Sequence, residues 1–311
     1  MKLAISLATR GRPQQLVNTI KRSIVNWTDP NTVMYVQADD DDQATYDAIK
    51  NGNLNHDQVR LSVKPREDTI AAKWNRIMSQ VPDADVYSIA ADDDPYTTPG
   101  YDSKILEAAK LFPDGVGMVY GAMANLSFTG SLSMTNKMAK RLGYVQPEYF
   151  PYWFCDHWTD DVAKMIGRIS YADIKTDQSS VGKTQELREP AWWATFFDAM
   201  YLVRRREARG LIDSPDFAGE EWQKELLRNN HPLIEQRSRG VNESVRQTAR
   251  QLEGWSGLTL KEERYQRVRQ KAAAMVPGLL ADPEMLSQER AFFASILTPP
   301  TQAPALQRAY A

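Results

Sequence analysis

Cysteine, histidine and long apolar runs are what this 311-residue sequence has least of. Its one cysteine, Cys155, rules out an intramolecular disulfide, and three histidines form no zinc-type cluster at ligand spacing. A reducing, cytoplasmic setting is expected. No segment approaches the roughly 18 consecutive apolar residues of a membrane span, and the apolar part of the opening MKLAISLATRGRP is too short for a secretory signal. Membrane insertion is therefore not expected. Surplus charge is lacking too: 38 basic and 40 acidic residues leave a net charge of -2, which is no nucleic-acid signature. Apolar and charged fractions of 42% and 25% are globular proportions, and the length suits a large domain with an appendage.

The first half of the chain alternates two periods. KLAISLAT reads as a short buried strand stopped by RGRP; Pro13 then suits a first helical turn, and Leu16, Ile20 and Ile24 recur at four-residue spacing. TVMYVQA is a second strand, LSVKP a short third and ADVYSIAA a fourth. DTIAAKWNRIMSQV is a helix with Asp68 as its expected cap. Strand and helix alternating at this spacing predict an α/β fold with a parallel sheet and right-handed crossovers. SKILEAAKLF is a further helix and GVGMVYG a further strand. SLSMTNKMAKRLGYV is less regular, residues 159–166 are helical, and the later chain is helical and charged.

Two acidic tracts follow predicted strands directly, Asp39 to Asp42 and Asp92 to Asp94. Ligands of such sheets gather at the carboxyl ends of the strands, so both tracts should share that edge. Adjacent carboxylates repel, and each tract needs either open solvent or a cation. Asp92 and Asp94, one residue apart, suit a hard divalent ion that keeps positions open for diphosphate oxygens. A calcium loop is disfavoured, because the glycine and glutamate of an EF-hand are missing. The first tract suits a nucleoside, whose base N–H or ribose hydroxyls a carboxylate can accept. Taken alone, each tract also reads as a solvated acidic turn. Taken together, they would repel across one edge unless a cation and a nucleotide lie between them.

In this order, SLATRGRPQQLVNTIKRSI, VMYVQADDDD, IAAKWNRI, YSIAADDDPYTTPGY, GVGMVYG and KMAKRLGYV resemble the nucleotide-sugar domain of GT-A glycosyltransferases, family 2 in particular, over roughly residues 1–170. The resemblance implies a GT-A fold: a Rossmann-like, mostly parallel sheet flanked by helices, with a helical C-terminal extension. The expected division is a catalytic domain over 1–235, helices over 236–298 and a Pro/Ala-rich tail over 299–311. Carried over residue by residue, it implies nucleotide-sugar contacts from Thr9, Arg10, Arg12, Asp39, Asp40, Lys73, Asn75, Asp92 and Asp93. Asp94 becomes the direct ligand of a divalent metal, Mn2+ or Mg2+, with Asp92 on ribose or on metal-bound water. The usual DDGS is DDDDQ here, and Lys73 and Trp74 interrupt the helix motif, so donor recognition is expected to depart from the commoner members.

Members of that family carry a general base in an acid pair at the start of a later helix, with a glycine some eleven residues on. Asp156, eleven before Gly167, fills that place and is preceded by Cys155 instead of the usual glutamate. Asp160 and Asp161 compete for the role and also read as acids at a helix N-terminus. Trp153 and Trp158 flank Asp156 and are the acceptor-stacking candidates, with core packing as the alternative for this whole aromatic stretch. His157 or His231 could complete metal coordination. The basic run at 204–210, with Arg237, Arg239, Arg246 and Arg250, could meet an anionic acceptor or pair with nearby glutamates. The expected activity is metal-dependent, inverting transfer of a sugar from a nucleoside diphosphate, UDP-sugar favoured, to a hydroxyl of a glycan, a small molecule or a hydroxylated DNA base. The rival readings are a nucleotide-sugar-binding module without turnover and a nucleotidyltransferase.

Overall fold

The computed structural model describes residues 1–52, 54, 57–122, 130–177, 189–229, 231–253 and 263–298, so the expected tail at 299–311 lies outside the described residues. Strand β1 (Leu3–Ala8) leads into α1 (Pro13–Ile24), with Pro13 in its first turn. Then come β2 (Val33–Asp39), α2 (Gln43–Asn51), β3 (Val59–Lys64), α3 (Ile70–Gln80), β4 (Val86–Ala91) and α4 (Tyr101–Ala109). Two strands, β5 (Met118–Ala122) and β6 (Gly130–Thr135), precede α5 (Asn136–Leu142), α6 (Cys155–Met165) and β7 (Ile169–Lys175). The rest is helical: α7 (Pro190–Ala199), α8 (Tyr201–Ile212), α9 (Glu221–Arg228), α10 (Pro232–Glu253), α11 (Glu263–Ala281) and α12 (Ser287–Leu297).

The seven strands form one sheet in the order β3-β2-β1-β4-β6-β5-β7. Neighbours from β3 through β4 are parallel, as are β5 and β7, and β6 alone runs antiparallel to its neighbours β4 and β5, which gives the mostly parallel sheet expected. Ala8 lies in register with Gln37 and Ala91, and Asp39 with Lys64, so the carboxyl ends of β1 to β4 share one edge. Leu3, Ile5 and Leu7 pack on one side of β1 with residues of α1 and α4, while Ala4 joins the opposite core with Ile77 of α3 and Trp158 of α6. This two-sided burial is why β1 reads as an unbroken apolar run.

Several local expectations change. Thr69, not Asp68, caps α3: its hydroxyl accepts the Ala72 N–H at 3.0 Å, while Asp68 is drawn away by Arg267. The less regular stretch at 131–145 resolves into β6 and α5, with Ser133 bonded to Ser88 on the neighbouring strand at 3.0 Å. Helix α10 runs unbroken across residues 235 and 236 and packs on α6 and α7, and its Val241 and Val245 belong to the same core as Trp158.

That core also holds charge. The Arg204 guanidinium meets Asp161 at 2.6 Å with both side chains fully buried, and it lies 3.8 Å from the centre of the Phe197 ring. Removing one member strands the other charge in a medium that cannot solvate it. Arg204→Ala should therefore lower unfolding stability by about 3–5 kcal/mol. Equilibrium urea denaturation reads this directly, and a loss below about 1 kcal/mol, the scale of an exposed pair, would show that the pair is not desolvated.

Candidate functional site

A cleft of about 450 Å3 opens at the carboxyl edge of the parallel strands. The β1–α1 turn contributes Thr9, Arg10, Gly11 and Arg12; β2 contributes Asp39; the β3–α3 loop contributes residues 66–69, followed by Ile70 and Lys73 of α3. Asp92 and Asp93 come from the end of β4, Pro151 and Tyr152 from the segment before α6, and Arg264 and Tyr265 from α11.

The first acidic tract divides its tasks. Asp39 is fully buried and meets Lys73 at 2.7 Å and Arg10 at 3.0 Å. Arg10 is shared with Asp41 at 2.5 Å. Asp42 caps α2, accepting the Thr45 N–H at 3.3 Å, and also accepts the Gly11 N–H at 2.7 Å. Gly11 makes that turn with φ +65°, in the region that glycine enters without strain. Lys73 also donates to the Thr9 carbonyl at 3.1 Å, so one ammonium joins the ends of β1 and β2 to α3. Burial holds its pKa below the ordinary lysine value, and Asp39 works the other way. Asp40 is exposed at the rim and does not line the cleft; its N–H continues the β2–β3 ladder to Lys64.

The second tract is held from the same turn. Asp92 accepts Thr9 Oγ1 at 2.8 Å and Arg12 at 3.2 Å, and Arg12 also meets Asp93 at 2.8 Å. Burial pushes the Asp92 carboxyl up to about 6 against the pull of Arg12 and Thr9. Asp94, the expected direct metal ligand, is not among the residues lining the cleft. Burial pushes it up to about 6 as well, opposed by the Thr176 hydroxyl and assisted by Asp93 and Asp177, and its buried Oδ1 finds no well-formed hydrogen bond. Among the described residues, no three His, Cys, Asp or Glu side chains converge as a ligand set.

Helix α6 begins under strain. Phe154 sits at φ 76°, a left-handed conformation costing a residue with a Cβ about 1–2 kcal/mol. It is fully buried, with Phe150 edge-on at 6.2 Å and Phe197 at 6.4 Å. The next residue, Cys155, packs against Ala8 and Trp74 at the strand ends. Asp156 follows in the first turn with its side chain 29% exposed, and one carboxylate oxygen accepts the His157 N–H and meets His157 Nδ1, both at 2.9 Å. The other ring nitrogen lies 3.3 Å from Ser244 Oγ on α10. Burial acts to raise the Asp156 pKa, but the adjacent imidazole and its hydrogen bonds hold it below the usual carboxylate value.

Other expected residues have structural work. Asn75 clamps the chain before α6, accepting the Val145 and Gln146 N–H groups at 2.9 Å each and donating to the Gln146 carbonyl at 2.8 Å, so it does not line the cleft. Trp158 is fully buried, and its indole N–H donates to Glu207 at 2.7 Å; a ring enclosed in the core presents no face for an acceptor to stack on. Trp153 is half-buried, edge-on to Tyr152 at 5.1 Å. Asp160 pairs with Lys164 and Asp161 with Arg204, which removes both as rivals of Asp156. The His157 ring is buried with both nitrogens engaged, and His231 sits at the start of α10 accepting the Leu233 N–H at 3.2 Å, so neither histidine faces the cleft. The basic run is paired: Arg205 and Arg209 meet Glu284, and Arg206 meets Asp282. Residues 66–70, Arg264 and Tyr265 line the cleft without having been expected there, whereas Tyr152 belongs to the aromatic stretch in which stacking was one of the expected readings. The strand-end rule applied to β3 points to residues 66–70, whereas nothing local marks Arg264 and Tyr265.

Neither a protein-family model nor a curated protein matches the chain. Solved structures do. S. aureus TarS 1-349 in complex with UDP-GlcNAc is similar at 12% identity with a TM-score of 0.52, over 95% of this chain and 87% of that one. TarS 1-349 without a named ligand gives 0.51 at the same identity and coverage. The longer TarS chain gives 0.50, and the match covers 52% of it, so the present chain spans about half its length. The likeness establishes the fold: a GT-A-like α/β sheet with a helical C-terminal region.

Acids buried past their ordinary pKa leave a signature in stability. The unfolded carboxyl titrates near 3.8 and the folded one near 6, so folding favours the protonated form and stability is lost as pH rises through that interval. In chelator-treated protein, Asp94→Asn should be more stable than wild type at pH 8 by on the order of 1–3 kcal/mol, with the gain gone by about pH 4. Denaturant midpoints across pH test this, and parallel profiles for the two proteins would show the charge to be compensated.

Proposed function

We propose that the chain is a GT-A glycosyltransferase that moves a sugar from a nucleoside diphosphate to an acceptor hydroxyl with inversion. One observation carries the reading: a single strand-edge cleft gathers Thr9, Arg10, Arg12, Asp39, Lys73, Asp92 and Asp93 from three strand ends and the helix beside them. Strand-end carboxylates can accept ribose and base hydrogen bonds, while guanidinium and ammonium groups suit a diphosphate. The presence of UDP-GlcNAc in a TarS structure of the same fold supports a UDP-sugar as donor.

Asp156 is the group suited to take the acceptor proton. It does not itself line the cleft but stands at the start of α6, four residues beyond Tyr152, which does, and its depressed pKa keeps it ionised near neutrality. As the acceptor oxygen bonds to C1, the bond from C1 to the diphosphate oxygen breaks, its electron pair leaves with the diphosphate, and the proton passes to the Asp156 carboxylate. A single displacement of this kind inverts the anomeric carbon. A divalent ion, Mn2+ or Mg2+, fits the second tract: two carboxyls raised by burial and an Asp94 oxygen without a well-formed hydrogen bond are what a hard cation would compensate. Asp92 and Asp94 would hold it, and once bound it would supply charge neutralisation for the departing diphosphate.

The test is transfer from UDP-sugars to a panel of glycan, small-molecule and hydroxylated-DNA acceptors, with and without Mn2+. Asp156→Asn should lower kcat by about 10² to 10⁴-fold, the usual worth of a general base. His157→Gln removes the group that holds Asp156 down, leaving burial to raise it, so the acid limb of the rate profile should move to higher pH. Full turnover by Asp156→Asn would remove the base assignment, and an unmoved acid limb would remove the role of His157.

A further inference from the structure

We infer that α11 of the C-terminal helical region is part of the nucleotide site: Arg264 and Tyr265 form its outer wall and engage the nucleoside diphosphate, and Arg267 and Lys271 are positioning residues that fix this wall to the β3–α3 loop. The inference rests on the donor reading above and adds to it a binding element far along the chain from the strand-end residues.

Arg264 and Tyr265 line the same cleft as Thr9, Lys73 and Asp92. Tyr265 is 8% exposed, and the Arg264 guanidinium lies 5.1 Å from the centre of its ring, so the ring steadies the cation at the cleft. One turn on, Arg267 meets Asp68 at 2.5 Å and Lys271 reaches the same carboxylate at 3.6 Å. Asp68 also lines the cleft and immediately precedes Thr69, the cap of α3. The far side of the helix is anchored independently, through Val268, Ala272 and Val276 in the main core and through Arg269, which pairs with Glu189 at 2.8 Å and covers the Trp192 ring at 3.3 Å.

Charge gives this wall its task. Arg10, Arg12 and Lys73 are shared among Asp39, Asp41, Asp92 and Asp93, so the strand-end cations are already outnumbered by carboxylates. A diphosphate brings further negative charge, and Arg264 adds to the same cleft a guanidinium whose fork geometry suits phosphate oxygens. The Tyr265 ring beneath it keeps that guanidinium at the cleft.

The experiment is calorimetric titration of the full chain with UDP, alongside hydrogen exchange over residues 263–271 with and without UDP. Arg264→Ala should weaken UDP about tenfold, near the 1.4 kcal/mol of one charge-assisted contact. Arg267→Ala/Lys271→Ala should weaken it comparably and abolish the UDP-dependent protection of α11 that the wild type shows. Arg239→Ala, which breaks an exposed pair on α10, serves as the control and should bind as the wild type does. If the wild type binds UDP, and Arg264→Ala binds it equally while α11 gains no protection, the inference is overturned and the donor reading stands. If the wild type binds none of UDP, GDP and dTDP, the donor reading fails and takes the inference with it. Should the double variant prove unstable, Arg264→Ala and the wild-type exchange pattern decide alone.

Discussion

Like charge crowded at one sheet edge is the constraint around which the rest of the molecule is arranged. The ends of β2 and β4 bring carboxylates to the two flanks of β1, and such an edge stays folded only if cations reach it from short, fixed distances. The chain supplies them from the intervening strand: Arg10 turns toward Asp39 and Asp41, and Arg12 turns the other way toward Asp92 and Asp93. Gly11 between them makes the divergence possible, because its left-handed conformation lets consecutive side chains of the turn leave toward opposite strands. Lys73 completes the arrangement from α3. Its burial is tolerable because its ammonium pairs with Asp39 and donates a hydrogen bond to the Thr9 carbonyl. The compensation is incomplete at Asp92 and Asp94, whose carboxyls stay near 6, and incompleteness of this kind at a strand-end cleft is what a charged ligand can exploit.

The opposite side of the sheet carries the mechanical support. The aromatic residues around α6 and α7 interlock edge-to-face and enclose the buried pair of Arg204 with Asp161. This packing holds Phe154 in its disfavoured conformation, which sets the start of α6 and hence where Asp156 stands. Helix α10 reaches the same point through Ser244 beside His157. The later helices are thus continuous with the strand-bearing half in packing and in hydrogen bonding.

How much of this is legible in the sequence depends on whether a residue's task is local. Strands β1, β2 and β4 announce themselves through apolar runs, and the rule that ligands gather at strand carboxyl ends places seven of the expected contacts around one cleft. Strand β6 hides because only one of its two buried faces, Leu132 and Met134, is apolar, while the other carries Ser133 and Thr135, which are satisfied by Ser88 and Gly117. Asn75 and Trp158 mislead for the converse reason: their residue types suit a site, and only the tertiary partners, the 145–148 segment and Glu207, show that they hold structure together. Arg264 and Tyr265 carry no local signal, since their place in the cleft comes from the docking of a helix made almost 200 residues after Lys73.

The departures from the family pattern form one compensating set. Trp74, inserted into the helix motif, donates its indole N–H to the Ala90 carbonyl at 3.0 Å and lies against Ala8 and Cys155. With a tryptophan in that space, the residue before Asp156 must be small and uncharged: a glutamate there would be buried beside an indole with no cation near, a cost of several kcal/mol that a neutral thiol avoids. Burial pushes the Cys155 thiol well above its ordinary pKa, so it stays protonated and inert. Cys155 is therefore the packing partner that Trp74 demands. The shorter Lys73 belongs to the same adjustment: its ammonium reaches both Asp39 and Thr9 from a position almost closed to solvent, where a planar guanidinium would need more room and more acceptors.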